Sequence, residues 1–375
     1  MSFVFVPSGS PWIHSLADAL ARSEPVWMYA FHDWHVYLRN RPSWPSSHPE
    51  SDLRREMKVF PTGYAGLLEP IARPFMRWIV HDAYQRAAEE SGSKPWFVVT
   101  RPYMNNWVSD IPTDRLIYHN VDEYTLYRPS RANYIRKQED GLIRKAKHVF
   151  CVSDHQVQKI RDRHPNRVGK IHHLPHGVDA NKLNTDPRNS YESGIVGYIG
   201  NLTDRIDWAL VRSVVQDMQD IEFVFVGGLE DLETGGDPDD TWKEDRAWVF
   251  SQSNVTHTGR VPQEEVGSYY ASFAATWIPY DADHPFNIAS CPTKIMDSLA
   301  SGRPVVSTPV PECTLYPEWI RIAEHSEELV HHLRESMRNA NNERRSAQVD
   351  FARNNTWTQR AENMRRLLSS KASPN

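Results

Sequence analysis

The sequence predicts an α/β protein built from two doubly wound parallel sheets. Short apolar runs alternate with amphipathic stretches of helical period along most of the chain. A segment rich in Asn, Pro, Asp, Ser and Gly at 181–193 interrupts the alternation, which then restarts. The chain has 375 residues, enough for two domains and too many for one core.

In order, residues 3–6 read as a buried strand. Residues 11–21 read as a helix, with Ile13, Leu16, Ala17 and Leu20 on one face. A strand at 26–30 follows. Residues 39–65 are rich in Pro, Ser and Arg and read as a long irregular loop. Residues 75–88 form a helix whose apolar face includes Met76, Ile79, Val80 and Ala83. Strands at 96–100 and 116–120, a helix at 131–147, a strand at 148–152, a helix at 155–163 and a strand at 170–174 complete the first half. Beyond the linker come strands at 194–199, 222–226, 254–257, 274–279 and 304–307. Helices at 207–217, 263–272 and 293–300 separate several of them, and helices fill 326–370. Domains are expected at 1–187 and 188–355, with a further helix at 356–375. Ligands of such sheets lie outside the carboxyl ends of the strands, so two domains on one linker are expected to face a cleft.

Composition narrows the function. Hydrophobic residues make up 39% and charged residues 24%, which excludes a fully disordered chain. The net charge of -5 argues against nucleic-acid binding by charge. No apolar run approaches the ~20 residues that span a bilayer. Residues 1–7 lack the basic start and length of a signal peptide. Cys151, Cys291 and Cys313 make no disulfide framework, so a cytoplasmic setting is expected. Residues 1–190 hold 26 Lys and Arg against 20 acids, and residues 191–375 hold 17 against 28. The basic first half suits an anionic membrane face or a phosphate-bearing acceptor; an even scatter of solvated helix faces explains it equally well. Arg73, Arg77 and Arg86 beside Phe75, Trp78 and Ile79 could lie on such a membrane, although packing on the first sheet is the commoner fate.

The most informative segment is Pro292-Thr293-Lys294-Ile295-Met296-Asp297-Ser298-Leu299-Ala300-Ser301-Gly302-Arg303-Pro304-Val305-Val306. A helix starting near Thr293 suits an anion at its amino end, and Lys294 adds a positive charge there. Asp297 lies one turn on, where a carboxylate can accept from a ribose diol. Gly302 closes the helix as its C′ residue. On spacing alone, an ordinary helix–turn–strand with a surface Lys–Asp pair explains the segment as well.

Other motifs stand in a telling order. They include Tyr118-His119-Asn120-Val121-Asp122-Glu123-Tyr124, Ala146-Lys147-His148-Val149-Phe150-Cys151-Val152-Ser153 and Leu174-Pro175-His176-Gly177-Val178-Asp179. Val196-Gly197-Tyr198-Ile199-Gly200-Asn201, Thr258-Gly259-Arg260-Val261, Pro279-Tyr280 and the tail at 351–360 continue the series. With the Lys294 segment, they resemble glycosyltransferases of the GT-B fold, close to the family 4-like group (glycosyltransferase group 1). The likeness is good over about residues 115–370 and loose before that. It implies two Rossmann-like domains facing a cleft, a nucleotide-diphosphate sugar on the second, a saccharide or lipid-linked acceptor on the first, and a final helix crossing back to the first domain. By resemblance, Lys294 holds the diphosphate and Asp297 the ribose. The Gly200-Asn201 loop approaches the phosphates, with Arg205 as a second phosphate partner or a solvated loop charge. The expected setting is surface polysaccharide biosynthesis at the inner face of the membrane, with no cofactor, no metal and no nucleic-acid partner.

One departure stands out. Many retaining members carry two glutamates with seven residues between them; here those positions are Ala289 and Asp297. Asp122 offers another route, since a carboxylate after a strand can take the acceptor hydroxyl proton. This resembles the xanthan-type glucuronosyltransferases; a turn-capping role is the alternative. The missing acid also leaves open a nucleotide-sugar epimerase or a non-catalytic sugar-nucleotide-binding scaffold.

Other candidates are weaker. Asp281-Ala282-Asp283 and Asp237-Pro238-Asp239 have metal-binding spacing but lie in polar loops without convergent ligands. His32, Asp33 and His35 lack a further zinc ligand; His14 and His32 are expected on the acceptor side. Ser153 and Asp154 read as a helix cap and not as part of a hydrolase triad.

Overall fold

A computed structural model describes residues 1–7, 9–66, 68–179, 194–229, 241–338 and 342–370. The expected linker and the Asp237-Pro238-Asp239 loop lie outside the described residues. The chain forms two compact units, Met1–Pro175 with Trp357–Asn375, and His176–Thr356. The division comes ahead of the 187/188 boundary expected from sequence.

The first unit is a seven-stranded sheet of β1 (Phe3–Val6), β2 (Val26–Asp33), β3 (Leu53–Phe60), β4 (Trp96–Val99), β5 (Leu116–Asn120), β6 (His148–Cys151) and β7 (Ile171–His173). All pairings are parallel, in the order β3-β2-β1-β4-β5-β6-β7. β1 and β4 are buried on both faces, which is why they read as unbroken Phe and Val runs. Val4, Val6, Phe97 and Val99 pack with Met76, Val80 and Ala83 of the helix Glu69–Ser91. Phe3, Phe5 and Val98 pack on the other face with Ile13, Leu16 and Leu20 of the helix Pro11–Ala21. Ala361 and Met364 of the final helix Trp357–Ser369 join that same cluster, and Arg365 pairs with Glu24 at 2.8 Å.

Two expectations fail here. The stretch 39–65 is not irregular throughout, because β3 occupies 53–60 and pairs with β2 along all eight residues. It is an edge strand, so Arg54, Arg55, Glu56 and Lys58 stay at the surface and hide the apolar alternation. The helix expected from residue 75 begins at Glu69 and runs through Pro74. Buried Glu69 anchors that first turn by accepting from Trp107 Nε1 (3.2 Å) and Arg73 Nη2 (2.8 Å).

The second unit is a six-stranded parallel sheet of β8 (Ile195–Ile199), β9 (Glu222–Val226), β10 (Val255–Gly259), β11 (Ala275–Ile278), β12 (Val305–Ser307) and β13 (Ile320–Ile322). Its order is β10-β9-β8-β11-β12-β13. The short strand β13 is not legible in the sequence reading. Each sheet winds outward in both directions from its centre. The strand order therefore reverses between β1 and β4 in the first unit, and between β8 and β11 in the second.

Candidate functional site

In the second unit, β8 leads into Gly200 and β11 runs into Pro279-Tyr280, on either side of the reversal point. Lys294 opens the helix Lys294–Ala300 and reaches this point. Its Nζ donates to Tyr198 Oη at 3.2 Å and to Tyr280 Oη. The ammonium also lies 4.8 Å from the Tyr198 ring centre and 4.3 Å from that of Tyr280, a two-ring cradle for a cation. A Cβ on Gly200 would stand 2.9 Å from Lys294 Nζ, and φ there is +152°. Glycine is thus what lets the loop lie against the lysine. Gly227, at the end of β9, backs this loop so closely that a Cβ would fall 1.9 Å from the Gly200 carbonyl oxygen.

Arg205 is not a solvated loop charge. Its Nε donates to Asn287 Oδ1 at 2.8 Å, its Nη2 donates to Ser290 Oγ at 3.0 Å, and its guanidinium lies 5.2 Å over the Tyr280 ring. Buried His284 and Asp204, 3.5 Å apart, join the same two loops. Burial pushes the Tyr280 phenol up, but the Lys294 and Arg205 charges outweigh it, and the net shift is downward. The two cations, Lys294 and Arg205, make the reversal point electropositive, as a diphosphate requires, and the lowered phenol is the response to their field. Asn201 is exposed, and its carbonyl accepts from Tyr198 Oη at 3.0 Å. Asp297 is partly buried. Desolvation raises its carboxyl to about 7, with Lys294 pulling down and Asp179 pushing up. Ala289 is buried, so no acid stands eight residues before Asp297.

In the first unit, Asp122 follows β5 at the carboxyl rim. Its Oδ1 accepts from Glu123 N at 2.9 Å, and its Oδ2 accepts from Tyr127 Oη. Its neighbour Glu123 is instead buried, binding Lys159 Nζ at 2.5 Å and Gln156 Nε2 at 3.3 Å. Desolvation raises Glu123, but its hydrogen bonds from Lys159 and Thr125 prevail and hold it low, as befits a structural carboxylate. His14 is buried beside Trp44, with Nε2 3.5 Å from Ser47 Oγ; His32 lies at the end of β2, near the Tyr37 ring. Asp33 accepts from Gly63 N (3.2 Å) and His35 meets Thr62 Oγ1 (2.7 Å), so each of these zinc candidates has its own partner. Asp281 Oδ1 accepts from Asp283 N at 2.9 Å, a local turn bond. Among the described residues, His331, His332 and Glu335 do bring ligand atoms within 4.8 Å of one another, but Arg321 donates to that carboxylate at 2.5 Å.

Comparisons with known proteins bear on the fold and the family. Residues 193–339 match the family described as glycosyl transferases group 1. The match lies within the second unit and covers less than half of the chain. A curated relative is TuaH of Bacillus subtilis (strain 168), named as a teichuronic acid biosynthesis glycosyltransferase. It is 27% identical over 213 residues, 53% of this chain and 51% of that one. The chain thus spans about half the length of the curated relative it matches. Among solved structures, HepE of Anabaena in complex with UDP and glucose superposes with a TM-score of 0.69 at 15% identity, covering 99% of each chain. Sucrose-phosphate synthase from Thermosynechococcus elongatus gives 0.66 at 15% identity, covering 98% of this chain and 97% of that one. At these identities the likeness establishes the fold, which is GT-B.

The motif order that points to group 1 glycosyltransferases places Gly200, Arg205 and Lys294 around one point. The sequence reading gave no role to Tyr198 and Tyr280, which hold the lysine, nor to Asn287 and Ser290, which hold the arginine. The signal available was an aromatic side chain near the end of each central strand. It also missed Arg303, fully buried and donating to the carbonyls of Tyr270 (3.2 Å) and Ala271 (2.8 Å).

Proposed function

We propose that the chain is a metal-independent glycosyltransferase that moves a sugar from a nucleotide-diphosphate donor to a saccharide or lipid-linked acceptor in surface polysaccharide synthesis. The observation that carries this reading is the Lys294 ammonium, held by Tyr198 and Tyr280 against Gly200 at the reversal point of the second sheet. A fixed cation there stabilises the diphosphate as it leaves, without a divalent ion. Arg205, locked by Asn287 and Ser290, supplies a second positive charge. Asp297 receives the ribose; near its midpoint of about 7 it can both donate and accept. Asp122 takes the acceptor hydroxyl proton, and single-displacement attack inverts the anomeric centre. Its bonds to Tyr127 and Glu123 N aim the carboxylate.

The first unit meets a membrane. The helix Trp34–Asn40 buries none of its residues and presents Trp34 and Leu38, while Ile71, Phe75 and Trp78 share one exposed face of Glu69–Ser91. Ring contacts from Phe31 of β2 through Phe60 of β3 reach Phe75 on the second of these helices. Arg39 and Arg41 are exposed beside them, as an anionic bilayer requires. Ile79, counted toward this face in the sequence, is buried. A panel of nucleotide sugars with saccharide acceptors, assayed for nucleotide release with and without EDTA, tests the activity. Turnover in EDTA supports the reading, and turnover only with a divalent ion contradicts its metal independence.

A further inference from the structure

In the first unit the strand order reverses between β1 and β4, so the carboxyl ends of those strands form its ligand end. β4 leads there into Thr100 and Arg101. The Arg101 guanidinium lies 5.0 Å over the Tyr124 ring, and Tyr124 Oη donates to the Thr100 carbonyl at 2.6 Å. Thr100 Oγ1 in turn donates to the Pro7 carbonyl at 2.6 Å, tying the loop after β1 to the loop after β4. The cation is therefore positioned by stacking alone. Among the described residues no carboxylate pairs with Arg101, and none of its side-chain N–H groups has a hydrogen-bond acceptor. Its side chain is nevertheless only partly exposed.

Two other partly buried arginines of this unit give donors to protein, Arg163 to Glu139 (2.6 Å) and Arg161 to the Ile171 carbonyl (2.9 Å), whereas Arg131 shares the stacked arrangement, 4.9 Å over the Tyr134 ring. Desolvating an arginine without a partner costs free energy and stabilises nothing, unless a ligand completes it. Asp122, whose charge acts on Arg101 from the neighbouring loop, is the proposed base.

We infer that Arg101 is an acceptor-binding residue that takes an anionic group, a phosphate ester or a carboxylate, on the sugar whose hydroxyl Asp122 deprotonates. The inference rests on the glycosyltransferase reading for its acceptor, but not for the anion. A guanidinium fork matches both anions with two parallel hydrogen bonds. Their shared chemistry defines the site.

The test saturates the donor site with a nucleoside diphosphate, then titrates glucose 1-phosphate, glucuronate and glucose into wild type, Arg101→Gln, Arg101→Lys and Lys294→Ala by calorimetry. At least one anionic sugar binds wild type tenfold or more tighter than glucose, and which one identifies the anion. Arg101→Gln abolishes the preference, and Arg101→Lys keeps part of it. Arg101→Gln melts close to wild type, because only the stacking on Tyr124 is lost and no hydrogen bond or ion pair goes with it; an arginine whose role is to hold the fold would cost far more. Its nucleotide-induced melting shift is unchanged, which separates this site from the donor site. Equal binding of glucose and both anions, a preference that survives Arg101→Gln, or one lost only in Lys294→Ala would overturn the inference.

Discussion

Lys294 shows how much one side chain can be asked to do. Two phenols and a glycine hold its ammonium. Lys294→Ala should weaken nucleoside-diphosphate binding by about 10–100-fold, since a charge-assisted bond contributes roughly 1.5–3 kcal/mol. Tyr280→Phe, which keeps the ring but removes one acceptor, should fall between the two in calorimetry. Asp297 carries a pH signature. Its folded-state midpoint of about 7 lies above the ordinary carboxyl value of 3.8. The folded chain therefore binds the extra proton, and this group's contribution falls as pH rises through that window, then levels off. Asp297→Asn should melt with wild type near pH 4 and above it at pH 8, by on the order of 1–2 kcal/mol. A crossover of the opposite sign would remove the burial argument. Asp122→Asn should cut turnover by about 10²–10⁴ with the melting temperature kept, because Asn can still accept from Glu123 N. An unchanged rate would make Asp122 a turn cap and no more.

Elements were legible where both faces of a strand are buried or a helix shows one clear stripe. β1, β4 and β9 read directly as Phe and Val runs. Ser153 caps the helix Asp154–Arg163 as expected, accepting from Gln156 N at 3.3 Å. β3 and the helix Trp34–Asn40 were not legible, because an edge strand and a helix with no fully buried residue bury too little to shape the sequence pattern. The same exposure makes that region testable. The protein should co-sediment with vesicles containing phosphatidylglycerol and not with pure phosphatidylcholine; Ile71→Ser with Trp78→Ser should weaken this about tenfold or more. Equal binding to both vesicles would argue against the basic residues, and none against the face itself. Gly227 tests the contact of two strand-end loops. Gly227→Ala should cost about 3 kcal/mol or more in chemical denaturation, since neither backbone can withdraw.

At the scale of the whole molecule, two sheets with separate cores were predictable from the restart of the strand–helix rhythm. Gly200, Arg205 and Lys294 were legible as candidates because they lie in short motifs near strand ends. Their partners Tyr198, Tyr280, Asn287 and Ser290 were not, because a hydrogen bond across up to 96 positions leaves no spacing to read. The first unit takes back Trp357–Asn375, so its core depends on both ends of the chain. The central claim is that a metal-free cationic site on the second unit binds a nucleoside diphosphate. The most direct measurement is the melting temperature of wild type and Lys294→Ala with UDP, GDP, ADP and dTDP, each with and without EDTA. At 100 times its dissociation constant the right nucleotide should stabilise wild type by about 2.7 kcal/mol. At least one nucleotide is expected to do so, indifferent to EDTA, and Lys294→Ala to lose the shift. No shift with any nucleotide, or one that EDTA abolishes, would contradict it.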